Sequence, residues 1–437
     1  MIGNPPYIKE YTNRSAFDGF RETSKYYQGK MDLWYGFACH GLELLAENGV
    51  LCFIATNNWT TNGGASKLRN KVILDAKIIK LLDFGSYMIF EDSASIQTMI
   101  LIFQNNKNNN DYIFDFRKLD KLQATKSDAI ALLDKSQTEA VYLEPCISKA
   151  NFENKLLTFT DNTNEYILVK IDCGIYFKNS EIAQGIVFPQ DFLNKKSRDK
   201  LQKYNVGDGV FGLTSQEKSI FHLTKEEEEL IKPYFTTEQI QRYITHINNK
   251  LWLIYTTSKF KRPDSLDDYP NIKRHLDKFT GIITSDNKPY GLHRAREERF
   301  FKGEKIISLR KCVGCPSFSY SDFDCYVSQT FYSIKTIRWN MKFLTGLLNS
   351  KLIEFWLRHK GKMQGDNFQV DKEPLLNIPI KTSETAEPQI ALLVTQIIEA
   401  KQANPQADTS ALEAQIDQLV YELYGLTPEE IDIIEGN

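Results

Sequence analysis

The sequence predicts an α/β lobe first, an α+β body after it, and a few C-terminal helices. Three observations carry this. Helix-period and strand-length apolar patterns alternate through the first 120 residues. From about Lys118 the pattern breaks into short strand-like runs, isolated helices and long loops. Beyond Pro379, two amphipathic stretches separated by a polar turn read as an antiparallel helix pair. The predicted divisions are therefore 1–120, a helical linker over 121–165, a body over 166–382 and a helical tail over 383–437.

In order, residues 8–30 are polar and aromatic without a clean period, as in a loop with a short helix. Residues 31–47 place Leu33, Trp34, Phe37, Ala38, Leu42 and Leu45 at helical spacing, with Gly49 as the stop. Residues 50–55 are a continuous apolar run, as expected of a strand buried on both faces of a parallel sheet. Ligands of such sheets collect at the carboxyl ends of strands, where Asn57, Asn58 and Trp59 fall. A helix over 66–76, strands over 78–84 and 96–103, and a hairpin from 105–110 into 112–116 complete the lobe. The body is expected to hold strands at 166–171, 251–255, 305–310 and 326–334, and helices at 225–234 and 341–358. The tail reads as helices over 390–402 and 409–424, closed by Gly425, then a short helix capped by Thr427-Pro428-Glu429-Glu430.

A chain of 437 residues is long enough for two or three domains with sizeable cores. No run of eighteen apolar residues exists, and no basic segment precedes an apolar one at the N-terminus, which argues against a membrane span or a secretory signal. Seven scattered cysteines suggest reduced thiols and a cytoplasmic setting. The formal net charge of −2 hides a split: the tail holds eleven acidic residues against one basic, Lys401, so the rest of the chain carries +8. A basic body with an acidic tail is compatible with nucleic acid as partner, though many other proteins share it.

The chemistry concentrates in Asn4-Pro5-Pro6-Tyr7. Two prolines fix φ and push Asn4 towards extended geometry, so the turn holds an amide, a carbonyl and an aromatic face in fixed relation. Such a turn can grip an exocyclic amine: Asn4 and the Pro5 carbonyl accept its two N–H bonds while Tyr7 stacks on the ring. An ordinary proline turn near a terminus is the plain alternative.

These four residues resemble the catalytic motif of amino-directed DNA methyltransferases, specifically the adenine-N6 enzymes of the gamma group. Further stretches resemble the same family in order: Met31-Asp32-Leu33-Trp34-Tyr35, residues 49–59, Leu68-Arg69, residues 78–84 and Ile89-Phe90-Glu91-Asp92. Residues 301–307 and Asn349-Ser350-Lys351-Leu352 look like a TaqI-like C-terminal specificity domain. The resemblance implies an incomplete Rossmann-like methyltransferase lobe, a target recognition domain, S-adenosylmethionine as methyl donor and double-stranded DNA as partner. In that family the donor sits on a glycine-rich loop upstream of the motif, and here three residues lie upstream. The chain is therefore expected to be the C-terminal portion of a longer enzyme, completed by an N-terminal fragment or by self-association. A DNA-specificity module without turnover is the other reading.

The resemblance gives Phe90 the role of second stacking aromatic, against a core residue at a strand end. It sets Asp32 beside the donor, although an acid in a first helical turn also offsets the macrodipole. Residues 294–311 carry seven basic side chains against three acidic. Arg294, Arg296, Arg310 and Lys311 are candidate DNA contacts there, and Lys360 and Lys362 are further ones, against a solvated charged face. Gly207-Asp208-Gly209-Val210-Phe211-Gly212 fits G-x-G-x-x-G but follows a polar stretch, so it reads as a turn in the body. Cys312, Cys315 and Cys325 lack a fourth zinc ligand, and Asp264, Asp286 and Lys288 are a poor nuclease set, so no metal is expected.

Overall fold

The computed structural model describes residues 1–90, 96–107, 110–121, 123–147, 156–160, 162–364 and 367–436. It divides into two compact units, Met1–Lys170 with His359–Gly365, and Ile171–Arg358 with Asp366–Asn437.

The first unit is built on a six-stranded sheet. Its elements are β1 (Ile2–Gly3), α1 (Leu33–Leu44), β2 (Val50–Thr56), α2 (Ser66–Asp75), β3 (Ala76–Asp83), β4 (Thr98–Asn105), β5 (Asp115–Leu119), α3 (Lys126–Asp134), β6 (Ala140–Leu143) and α4 (Asn162–Lys170). The strand order is β1-β2-β4-β3-β5-β6. β1 runs parallel to β2 and β3 parallel to β5, whereas β4 is antiparallel to both of its neighbours. The sheet is thus mixed, not the parallel one expected. The described connection from β3 to β4 holds no helix, and a parallel return needs a crossover of that kind. β2 accordingly alternates, with Leu51, Phe53 and Ala55 buried and Val50 exposed. The buried face packs with Trp34, Ala38 and Leu42 of α1 and Leu68, Val72 and Ile73 of α2. The first unit also absorbs most of 121–165, expected as a linker: β6 extends the sheet and Leu132 of α3 packs on Phe84 and Leu119. Among the described residues the hairpin expected after β4 does not form. Tyr112–Ile113 pairs with Cys146–Ile147 and β5 pairs with β3.

Residues 166–171, expected as a strand, lie in α4 and just after it. Ile167, Leu168 and Ile171 are buried while Tyr166 and Val169 are exposed, which is helical spacing that the β-branched composition disguised.

The second unit holds β7 (Ile182–Gln184), β8 (Gly212–Thr214), β9 (Ile231–Phe235), β10 (Ile240–Gln241), β11 (Tyr243–Thr245), β12 (Leu251–Ile254), β13 (Lys305–Leu309), β14 (Lys311–Cys312), β15 (Phe318–Ser321), β16 (Tyr326–Val327), β17 (Phe331–Ile334) and β18 (Asn367–Gln369). One sheet has the order β10-β11-β15-β13-β17-β7 and another β8-β12-β9-β16. The helix expected over 225–234 stops at Glu228, and β9, with Pro233 in it, follows. The helix expected over 341–358 is two, α5 (Met341–Leu348) and α6 (Lys351–Lys360). Asn349 breaks it by behaving as a strand surrogate. Its amide accepts from Phe318 N at 3.1 Å and donates to Phe318 O at 2.7 Å. The tail helices α7 (Ala386–Ala403), α8 (Ser410–Tyr424) and α9 (Pro428–Glu435) form as expected, with Gly425 left-handed behind α8. They belong to this unit: Ile390 and Val394 of α7 and Ile416 of α8 meet the Gly346 position of α5, where only hydrogen fits.

Candidate active site

β1, β2 and β3 point the same way, so their carboxyl ends share one edge of the sheet. Asn4 leaves β1 there, Asn57 and Asn58 leave β2, and Asp83 ends β3. Asn57 Nδ2 donates to Asp83 Oδ1 at 3.1 Å, and Gly85 N donates to the same oxygen at 3.0 Å. Burial raises the Asp83 carboxyl above its usual range. Trp34 Nε1 donates to Thr56 Oγ1 at 2.9 Å and Tyr35 Oη to Asn58 Oδ1 at 3.1 Å, tying α1 to the end of β2. Arg69, almost wholly buried, braces the same turn by donating to the Trp59 and Asn62 carbonyls, each at 2.7 Å.

Pro5 is buried and anchors the hook, while Asn4 is exposed. Tyr7 Oη lies 2.7 Å from the Ile54 carbonyl and 2.8 Å from Asn4 Oδ1. A phenol has one proton and cannot donate to both. The one phenol proton is therefore shared between the Ile54 carbonyl and Asn4 Oδ1, which ties the exposed Asn4 amide to the end of β2. Burial, with Asp32 second, pushes the Tyr7 phenol up to about 12, so it stays protonated at physiological pH.

Phe90 faces Tyr7 with ring centroids 6.2 Å apart and planes tilted by 58°. That is the range of direct aromatic contact, so the rings must part and turn parallel before a base can stack between them. Glu91 and Asp92, quoted with Phe90 above, lie outside the described residues.

Asp32 stands at the N-cap position of α1 with extended backbone and is 2 % exposed, yet neither carboxylate oxygen closes a well-formed hydrogen bond. Residues 8–10 pair with 31–33, through Leu33 N to Ile8 O at 2.9 Å and Glu10 N to Met31 O at 3.0 Å, which sets the acid beside the hook. Burial raises its pKa to about 6, against the pull of the Trp34, Leu33 and Ile8 N–H groups and of Lys9. The Asp83–Asn57 pair and the unpartnered state of Asp32 were not visible in sequence. The available signal for Asp83 was a charged residue closing an apolar strand.

Residues 1–90 match the model of the Eco57I restriction-modification methylase family, and residues 232–380 match that of the TaqI-like C-terminal specificity domain. The whole chain aligns at 22 % identity with the Type II methyltransferase M.BstVI of Geobacillus stearothermophilus, covering 74 % of it. It aligns at 22 % with M.HindII of Haemophilus influenzae, over 87 % of this chain and 74 % of that one. The chain is thus similar to restriction-modification methylases over its first 90 residues and to a TaqI-like specificity domain over residues 232–380. Among solved structures, the Type IIL restriction-modification enzyme MmeI in complex with DNA shares the fold, with a TM-score of 0.60 at 13 % identity. That match covers all of this chain and 56 % of MmeI.

Within the span of the specificity-domain match, the predicted basic residues differ in their surroundings. Arg294 is half exposed, with Asp286 at 3.4 Å. Arg296 sits at φ 69° and donates to Gly185 O and Gln184 Oε1, at 3.3 and 2.9 Å. Arg310 pairs with Asp371. Lys311 is exposed. Lys360 is held by the Glu165 carboxylate at 2.8 Å in the methylase unit, where Lys362 is half-buried. Gly207–Gly212 leads into β8 rather than out of a strand. Among the described residues no group of three or more His, Cys, Asp or Glu could hold a metal, and no helix is long and apolar enough to cross a membrane.

Proposed function

We propose that this chain holds and selects the target base of an adenine-N6 DNA methyltransferase in a restriction-modification or phage-defence system. S-adenosylmethionine is the proposed methyl donor and double-stranded DNA the substrate. The observation that carries this reading is the hook: an exposed Asn4 amide tied to Tyr7, a buried Pro5, and the Tyr7 and Phe90 rings 6.2 Å apart. The adenine amine donates one N–H to Asn4 Oδ1 and one to the Pro5 carbonyl, which directs its lone pair away from the protein. Tyr7 and Phe90 sandwich the ring. Each stacking contact contributes about 1–3 kcal/mol, which offsets the few kcal/mol lost on extruding the base. When bound, S-adenosylmethionine supplies an electrophilic methyl group. Asp32 fits such a donor, since a buried carboxylate with only the neighbouring Trp34, Leu33 and Ile8 N–H groups to offset it keeps acceptor capacity for a ligand rich in N–H and O–H groups.

Mass spectrometry of nucleosides from DNA treated with the completed enzyme tests the chemistry. N6-methyladenine is the expected product, and methylcytosine in its place would overturn the reading. Phe90→Ala is expected to raise KM for DNA by roughly tenfold or more, from the loss of about 2 kcal/mol of stacking. An unchanged KM would remove Phe90 from the clamp.

A specificity module without turnover is the second reading, favoured by the open side of the methylase unit. β1 is a two-residue edge strand whose Ile2 is 88 % exposed. Nearby on α1, Leu33 and Phe37 line a groove of about 470 Å³ with Phe20 and Tyr26. Such an edge and face call for a covering surface, here proposed to be a donor-binding lobe in cis or trans, or a second copy. Titrating the chain alone with S-adenosylmethionine separates the cases. Weak or undetectable binding is expected, alongside DNA binding that weakens as salt rises. Tight donor binding by the chain alone would show that no further lobe is needed.

A further inference from the structure

We propose that Arg310 reads a guanine edge in the DNA target, with Asp371 and Gln369 fixing its orientation. This rests on the DNA-binding reading above and adds which side chain discriminates between bases.

The backbone holds Arg310 in place from two sides. Its N–H donates to Thr330 O at 3.0 Å, and its carbonyl accepts from Val370 N at 2.8 Å. One residue on, β14 pairs with β18, with Lys311 opposite Gln369. The side chain is fixed as well. Nε donates to Asp371 Oδ1 at 2.9 Å, and Nη2 lies 2.9 Å from the same oxygen. Asp371 Oδ2 accepts from Gln369 Nε2 at 2.8 Å, so both carboxylate oxygens are engaged. A guanidinium carries five N–H bonds. Two go to Asp371, which leaves two on Nη1 and one on Nη2 at the far end. That end is a planar fork, and the side chain is 30 % exposed. A fork whose rotamer is already set matches the O6 and N7 acceptors of guanine without a further ordering cost.

The other candidates in this unit lack that combination. Arg296 is spent on Gln184 and the Gly185 carbonyl, bracing a left-handed residue. Arg294 has one long contact, and Lys311 is exposed; both are charges without a set direction, which suits phosphate rather than a base edge. Asp371 lowers overall affinity for a polyanion. A carboxylate in that place is intelligible as a device for selectivity, since it penalises loosely oriented binding.

The test uses the full chain and a pool of random-sequence DNA duplexes, sequencing what is bound. Wild type is expected to enrich a motif that contains a guanine. Arg310→Lys, which keeps the charge, and Asp371→Asn are expected to lose base preference at that one position, by on the order of ten- to a hundredfold. For Arg310→Lys the dependence of affinity on salt should stay as in wild type. Arg294→Ala is expected to keep the motif and lower the salt slope by about 1. An unchanged motif in Arg310→Lys overturns the assignment. So does a loss of preference spread over every position, which would mean that the pair serves the fold. Wild type that binds the pool without enriching any motif overturns base reading by Arg310 but leaves DNA binding standing. Wild type that binds no duplex overturns both.

Discussion

Asn4→Ala is expected to lower methyl transfer by the completed enzyme by at least a hundred- to a thousandfold while leaving DNA affinity close to that of the wild type. The reason lies in what the amide does at each stage. In the ground state it is one hydrogen bond among many, and its removal costs little binding. As the amine nitrogen forms its new bond it gains positive charge, and its N–H groups become stronger donors. An acceptor placed in advance is then worth as much as a single preorganised donor in an oxyanion hole, where deletion costs about 10²–10³ in turnover. Single-turnover rates and DNA affinity, measured separately, check this. A drop in affinity with unchanged turnover would make Asn4 a contact for DNA rather than for the reacting amine.

Asn4→Asp refines the same argument. A carboxylate keeps the acceptor but adds a negative charge beside Tyr7 Oη, which lies 2.8 Å from Asn4 Oδ1 and 2.7 Å from the Ile54 carbonyl. The charge draws the phenol proton away from Ile54, and the hook loses its tie to β2. An intermediate loss of turnover is the expected outcome, smaller than for alanine.

The exposed turn at Asn4–Tyr7 was legible because its geometry is local: four consecutive residues set it, and the prolines do the stiffening whatever lies around them. The amphipathic tail was legible for a similar reason, since Thr427, Pro428 and Gly425 cap and stop helices by local geometry. Longer-range features were not. Asn57 and Asp83 are 26 positions apart and meet because both close strands at one edge of the sheet. No sequence period announces that meeting. The antiparallel insertion of β4 was hidden because apolar strands read alike in either direction, and only the lack of a helix before it hinted at the reversal. Residues 166–171 misled through composition, as isoleucine and valine suit a strand yet here repeat at helical spacing. The break between α5 and α6 depends on what Asn349 bonds to, which is the backbone of a strand 31 positions earlier.

Asp32 offers the sharpest thermodynamic test, because its cost and its use should separate. Its carboxyl is raised from 3.8 to about 6 by burial, so the folded chain holds a proton that the unfolded chain has released between those values. Where the native state binds more protons, stability falls as pH rises. The wild type should therefore lose stability from about pH 4 to pH 6 through this residue and lose no more above it. That rise in pKa corresponds to roughly 3 kcal/mol at pH 7. Asp32→Asn removes the charge, keeps a side chain suited to an N-cap, and should recover up to about that amount at pH 7 while matching the wild type near pH 4. Urea unfolding at a series of pH values reads this directly. A less stable Asp32→Asn at pH 7 would show that the carboxylate is paired after all. If the completed Asp32→Asn enzyme is also more stable but binds S-adenosylmethionine less tightly, the acid is held unpartnered for the donor, and its instability is the trade that a site makes for a ready ligand.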